Sequence, residues 1–182
     1  MMDRERAIRR FRDAKQAGQQ LAQATRTNDL QDAWEKWTIA WRIAVDMLEG
    51  YGRRNGAINA ALKELQKHRS SDDGLIYVWE CGNAERHNPD GSAQASRGLA
   101  LNAADPSKHL YIKSLVIEHG RVAHLSGSNM SLNNDVGSLE LRPIPVRGKA
   151  TVVPPTGANE RSLLNACENY LNRLKSLVVP KF

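Results

Sequence analysis

Apolar residues in the first half of the chain recur at three- and four-residue steps, the period of a helix. The clearest stripe is Leu30, Trp34, Trp37, Trp41, Val45 and Leu48, ended by Gly50-Tyr51-Gly52. Three tryptophans on one stripe bury a large area, so this second helix is expected to dominate the core rather than form a ligand shelf. Asn28 and Gln31 predict a capping box at its start. The first helix is expected from Asp3 to Arg26, on the thin face Ile8, Phe11, Ala14 and Leu21. A shorter third helix, Asn55 to His68, packs through Ile58, Leu62 and Leu65. Ser70 with Asp73 predicts the cap of a fourth, Leu75 to His87, packing through Leu75, Ile76, Val78 and Trp79. Pro89 biases Asn88 away from helical geometry, which puts His87 at the terminus. A final helix, capped by Thr156 or Gly157, carries Leu164, Cys167, Leu171, Leu174 and Val178.

The pattern changes between these helices. Residues 88–109 are polar and glycine-punctuated, with at most a short helical piece at Leu99–Ala104. Leu110–Glu118 and Arg121–Leu125 then flank His119-Gly120 as a hairpin. Gly127–Ser138 reads as a mobile segment. Leu139–Val146 and Ala150–Val153 predict a second hairpin around Arg147-Gly148-Lys149, with Pro143 and Pro145 confining the first strand to an edge or bulge. The expected fold is α+β and mainly α, in one domain covering residues 1–182. An antiparallel bundle of four to five helices would use residues 1 to about 88 and 157–178, with an antiparallel hairpin or small sheet inserted at about 110–153, before the last helix.

Charge changes this picture little. The net charge of +6 permits contact with a phosphate backbone without demanding it. Arg4, Arg6, Arg9, Arg10, Arg12 and Lys15 stand among Asp3, Glu5 and Asp13, as on a solvated helix face. No aromatic series interleaves with them to stack bases. The start of the chain lacks a signal-like apolar stretch, and no apolar run is long enough for a bilayer. Cys81 and Cys167 fall inside helices and read as reduced, buried thiols, so a cytoplasmic protein without a membrane partner is expected. No His, Cys and acid spacing suits zinc or calcium, and His119 and His124 are out of cross-strand register. The Gly148 and Gly157 regions lack a phosphate-loop pattern. Neither a metal nor another cofactor is implied.

Candidate chemistry gathers at the end of the fourth helix, where Asn83 and His87 share one edge at i and i+4. Gly82-Asn83-Ala84-Glu85-Arg86-His87, after an apolar turn holding Tyr77 and Trp79, resembles the HEPN superfamily signature Arg-Asn-x-x-x-His, with glycine in the arginine slot. Val153-Pro154-Pro155-Thr156 and Tyr170-Leu171-Asn172-Arg173-Leu174 resemble the later layout of some HEPN-like bacterial proteins. The resemblance implies metal-independent RNA cleavage in a cleft between two copies of the helix. His87 would be the acid/base, Asn83 the orienting group, and Arg86, one turn beyond Gly82, a cation reaching across the dimer. Imidazole titrates near neutrality and guanidinium grips two phosphate oxygens, so the roles suit the residues. Loss of one transition-state donor costs on the order of 10²–10³ in rate, so an RNase-like activity reduced or lost is expected. Asn83 and His87 alternatively do no more than cap the helix. The alternative function is a non-catalytic interaction or dimerisation module of the kind associated with mobile elements or defence. Unpaired hairpin edges suit such docking.

Overall fold

The tryptophan stripe becomes the centre of the molecule in the computed structural model, which describes residues 4–87, 92–118, 121–146 and 150–179. The side chains of residues 86–87, 97–100, 118, 121 and 133–136 lie outside that description. Among the described residues there are five α-helices: α1 (Arg4–Gln23), α2 (Thr27–Gly52), α3 (Asn59–Arg69), α4 (Asp73–His87) and α5 (Glu160–Val178). Four strands lie between α4 and α5: β1 (Ala93–Ala103), β2 (Tyr111–Glu118), β3 (Arg121–Ser128) and β4 (Met130–Leu141). The fold is α+β and mainly α, as the sequence pattern predicts.

All six stripe residues of α2 are buried. Two of the three indoles are satisfied as burial requires: the Trp41 N–H donates to the Cys167 carbonyl at 3.0 Å, and that of Trp34 to the Ser92 hydroxyl at 2.9 Å. α1 packs through small residues, Ala7, Ala14, Ala17 and Gly18, with Leu21, and a Cβ at Gly18 would meet Leu164 of α5 at 3.1 Å and the Trp37 ring of α2 at 3.5 Å. α4 runs antiparallel to α2, with Trp79 meeting Trp41 edge-on and Gly82 lying on Thr38. α5 covers the other side with Leu163, Leu164, Cys167, Tyr170, Leu171, Leu174 and Val178 buried. Both cysteines are free and buried.

The predicted caps shift. α2 begins after Arg26 with no side-chain cap. Gln31, expected in a capping box, instead donates to the Ala93 carbonyl at 3.0 Å and accepts from the Ala95 amide at 2.8 Å. It thereby pins β1 to α2, because a side chain facing a buried strand edge must satisfy that edge. Asp72, not Ser70, caps α4 by accepting from the Leu75 amide at 2.9 Å. Asn159 caps α5 in a reciprocal box with Ser162, two to three residues beyond the predicted start.

The β region departs further. The 88–109 stretch contains no described helix; β1 occupies Ala93–Ala103 and pairs antiparallel with β4, from Ala93↔Leu141 to Ala103↔Met130. Much of the segment read as mobile is therefore strand. The sheet begins well before residue 110. The expected hairpin is present as β2 and β3, paired from Tyr111↔Ser128 to Glu118↔Arg121, while its turn lies outside the described residues. The expected second hairpin shrinks to a single bridge, Ile144↔Val152. Asn129, at φ 53°, joins the two ribbons: its side chain donates to the carbonyls of Asp105 (2.9 Å) and Lys108 (2.8 Å) and accepts from the Asp105 amide (2.6 Å). The four strands thus form one long arm in two stretches. Its base is tied to the helices by Gly137 N–H to Thr25 O at 2.7 Å.

Candidate functional site

The last turns of α4 hold the predicted site residues. Position 82 follows Leu75 and Val78 at three- and four-residue steps, so it falls on the helix face that meets α2. A Cβ at Gly82 would sit 2.7 Å from the Thr38 carbonyl oxygen and 3.0 Å from the Cβ of Arg42. The slot where the signature pattern carries arginine is here a contact between two helix backbones. Asn83 lies on the flank, half-buried, and its amide donates to Glu80 Oε2 at 2.9 Å. Arg86 and His87 belong to the helix, and their side chains lie outside the described residues.

Beside this turn α2 supplies a different cation. The Arg42 side chain is 17% exposed, with its Nε 3.8 Å from Asp46 and its guanidinium carbon 4.7 Å from the centre of the Trp79 ring. Arg69, equally covered, places its guanidinium carbon 3.9 Å from the same ring and its Nε 3.4 Å from Glu49. Two cations on one indole are tolerable because each has a carboxylate at its back. Glu49 is itself buried and accepts from Gln66 at 2.8 Å and from the Tyr170 hydroxyl at 3.1 Å. Burial, then the charge of Glu49, raises the Tyr170 phenol well above its ordinary value. With every carboxylate answered by a cation or donor, this cluster locks helices together.

A second polar cluster secures the exit from α4. Ser92, fully buried, accepts from Trp34 and gives its hydroxyl to Glu85, which also accepts the Ser92 amide at 2.7 Å. The Tyr77 hydroxyl lies 2.9 Å from the carbonyls of both Ser92 and Arg142. Burial pushes the neighbouring Cys81 thiol up to about 12, so at neutral pH it is protonated and a poor nucleophile. Burial likewise raises Cys167. Sequence reasoning missed both clusters, because their members lie in separate segments with no local motif.

The arm presents the opposite environment. Residues paired across two strands share a face. Ile112↔Gly127, Leu115↔Leu125 and Ile117↔Val122 therefore lie on one side, and Tyr111↔Ser128, Ser114↔Ser126 and Val116↔His124 on the other. Strict alternation along either strand would scatter these residues. Register shifts between Ile112 and Ser114 and between Val116 and Ile117 bring the strands back into phase, so Ile112, Leu115, Ile117, Val122 and Leu125 share one face, while Tyr111 and Val116, 60 and 40% exposed, lie on the other. Ile112, Leu115 and Ile117 are 42, 40 and 55% exposed. Gly127, at φ 156°, has no room for a side chain: a Cβ would run into the Tyr111 carbonyl oxygen. The Met130 sulfur lies 2.9 Å from that point, which carries the apolar side on toward the Ala103↔Met130 and Leu101↔Leu132 pairs.

No family model, curated protein or solved structure matches the chain. Among the described residues no group of three or more His, Cys, Asp or Glu could hold a metal ion. No described helix is long and apolar enough to cross a membrane.

Proposed function

We propose that this protein is a docking module, a helical body that carries an apolar β arm to a partner. The observation that carries this reading is the exposure of Ile112, Leu115 and Ile117 on the ribbon, beside half-buried Val122 and Leu125. A two-stranded ribbon gains little stability from such a face while it remains wet. Contiguous apolar surface of this kind marks interaction sites on water-soluble proteins. The packing of Gly82 against Thr38 supports a non-catalytic role, since it leaves the signature turn without its first cation. The test is retention of a partner from a native host by wild-type bait against a Leu115→Asp/Ile117→Asp bait. Retention that needs the apolar face supports the reading. Equal retention by both baits, or wild type that stays strictly monomeric and retains nothing, overturns it.

A second reading keeps the HEPN resemblance: an RNA-directed protein with metal-independent activity reduced or lost, using His87, Asn83 and Arg86. It is favoured by Asn83 lying on the outer flank of α4, with Arg42 of α2 beside the same turn. Incubation with structured and single-stranded RNA in EDTA tests it. Cleavage by wild type but not by His87→Ala supports the enzyme, and equal inactivity of both removes it. Both readings suit a cytoplasmic protein that needs no cofactor.

A further inference from the structure

We propose that Asn55-Gly56, in the turn between α2 and α3, is a self-modification site. The asparagine closes onto the next backbone nitrogen, loses ammonia and opens to aspartyl and isoaspartyl forms. This is the only Asn-Gly pair in the chain. Asparagine is a thermolabile residue, and a following glycine leaves the attacking nitrogen least hindered.

Local geometry favours the attack. Both residues are exposed. The Asn55 side-chain oxygen accepts from the Ala57 amide at 3.2 Å, which folds the carboxamide over its own following backbone and brings Cγ beside the Gly56 nitrogen. The same bond draws electrons from Cγ and meets the charge that gathers on Oδ1 as the nitrogen adds. A nucleophile held this close replaces a rare collision. Nothing lies within 4 Å of the place where a Gly56 side chain would stand, so the peptide has room to turn into the ring. Exposed Arg53 and Arg54 put positive charge near the amide whose proton must leave.

The step balances with no co-reactant but water. Hydroxide takes the Gly56 amide proton, the nitrogen adds to Cγ, and Nδ2 leaves as ammonia, giving a succinimide. Water then opens the ring at either carbonyl. Opening at Cγ restores the normal chain with aspartate in place of Asn55. Opening at the backbone carbonyl leaves the chain running through Cβ, as isoaspartate, with the former carbonyl as a free carboxylate.

The two products act differently on the fold. Aspartate keeps the oxygen that caps Ala57 and sets negative charge ahead of α3, whose first turn has no acid. Isoaspartate lengthens the main chain between two fixed points. Gly52 is one, since a Cβ there would meet Val178 at 2.9 Å and Leu62 at 3.2 Å. Ile58, packed on the core, is the other. The Asn55 carbonyl that accepts from the Ile58 amide at 3.1 Å also leaves the main chain. α3 buries only Leu62 and Leu65, so the isoaspartyl form loosens that helix.

Ageing the full chain at pH 8.5 and 37 °C, followed by peptide mapping with mass spectrometry, tests the proposal. Cleavage after Lys36 and Lys63 releases one peptide holding both Asn55 and Asn59, so the helical Asn59 is an internal reference. Asn55 should convert roughly tenfold faster than Asn59 or more, and an isoaspartyl carboxyl methyltransferase should methylate the product. Gly56→Ala, which fits the open space, should slow conversion roughly tenfold without changing the circular-dichroism spectrum. Amide exchange in α3 should quicken in the isoaspartyl fraction and stay unchanged in fresh Asn55→Asp. Asn55 converting no faster than Asn59, or equally fast in Gly56→Ala, overturns the proposal, as does an isoaspartyl fraction whose α3 exchanges like that of the fresh chain.

Discussion

In the helical body Trp34, Trp37 and Trp41 are at most 1% exposed, whereas on the arm Ile112, Leu115 and Ile117 keep 40 to 55% of their surface in water. Both regions carry apolar residues on one face at the correct period. The body buries its stripe because α1, α4 and α5 converge on α2. Among the described residues the outer stretch of the arm is a two-stranded ribbon in which β2 and β3 pair with each other and with no other strand. Amphipathic patterning therefore specifies which face seeks cover, and topology decides whether the cover comes from the same chain. Burial is concentrated in the first region and exposed apolar surface in the second.

Substitutions should separate the two regions by magnitude. Trp41→Ala is expected to cost about 3–5 kcal/mol in urea unfolding, since it empties a site between Trp79 and Tyr170 and removes the indole's hydrogen bond to the Cys167 carbonyl. Gly82→Ala should cost about 1–3 kcal/mol, because the gain in helix propensity is outweighed by a methyl group meeting the Thr38 backbone. A neutral or stabilising result would show that α2 and α4 separate easily, and would weaken the case against a side chain at position 82.

A pH series probes the same core. The folded Cys81 thiol titrates at about 12 against an ordinary 9.0, so the native state holds its proton more tightly than the unfolded chain. That contribution is complete below about pH 9 and is lost as pH rises toward 12, by about 1 kcal/mol for each unit in between. Urea midpoints should be flat from pH 7 to 9 and fall by pH 10, and Cys81→Ala should lessen the decline, with the raised Cys167 supplying part of the remainder. The smallest effect belongs to the arm: Leu115→Asp/Ile117→Asp should change unfolding free energy by less than about 0.5 kcal/mol, as exposed substitutions do. A loss as large as that of Trp41→Ala would mean that the arm face supports the body.

Legibility in the sequence followed the same division. The α2 and α5 stripes could be read residue by residue because long 3.6-period patterns leave few alternatives. The β2–β3 hairpin was visible through its Ile, Leu and Val content around His119-Gly120. β1 was not, since Ala93-Gln94-Ala95-Ser96-Arg97-Gly98 lacks strand-forming residues and is held by β4 and by Gln31 from α2. β4 was hidden for the same reason behind Asn133-Asn134-Asp135, turn-type residues that tertiary pairing overrides. At the candidate site the sequence named Asn83 and His87 but presented Gly82 as an absent cation. Its spacing from Leu75 and Val78 already placed it on the inner face of α4, and that signal could have identified a close helix contact. The Ser92 and Glu49 clusters left no trace, because their members converge only in three dimensions.

Amide hydrogen exchange of the full chain measures the division between body and arm most directly. The account predicts that amides of 111–118 and 121–128 exchange quickly, while those of α2 and α5 are protected. An arm whose protection equals that of α2 would contradict it.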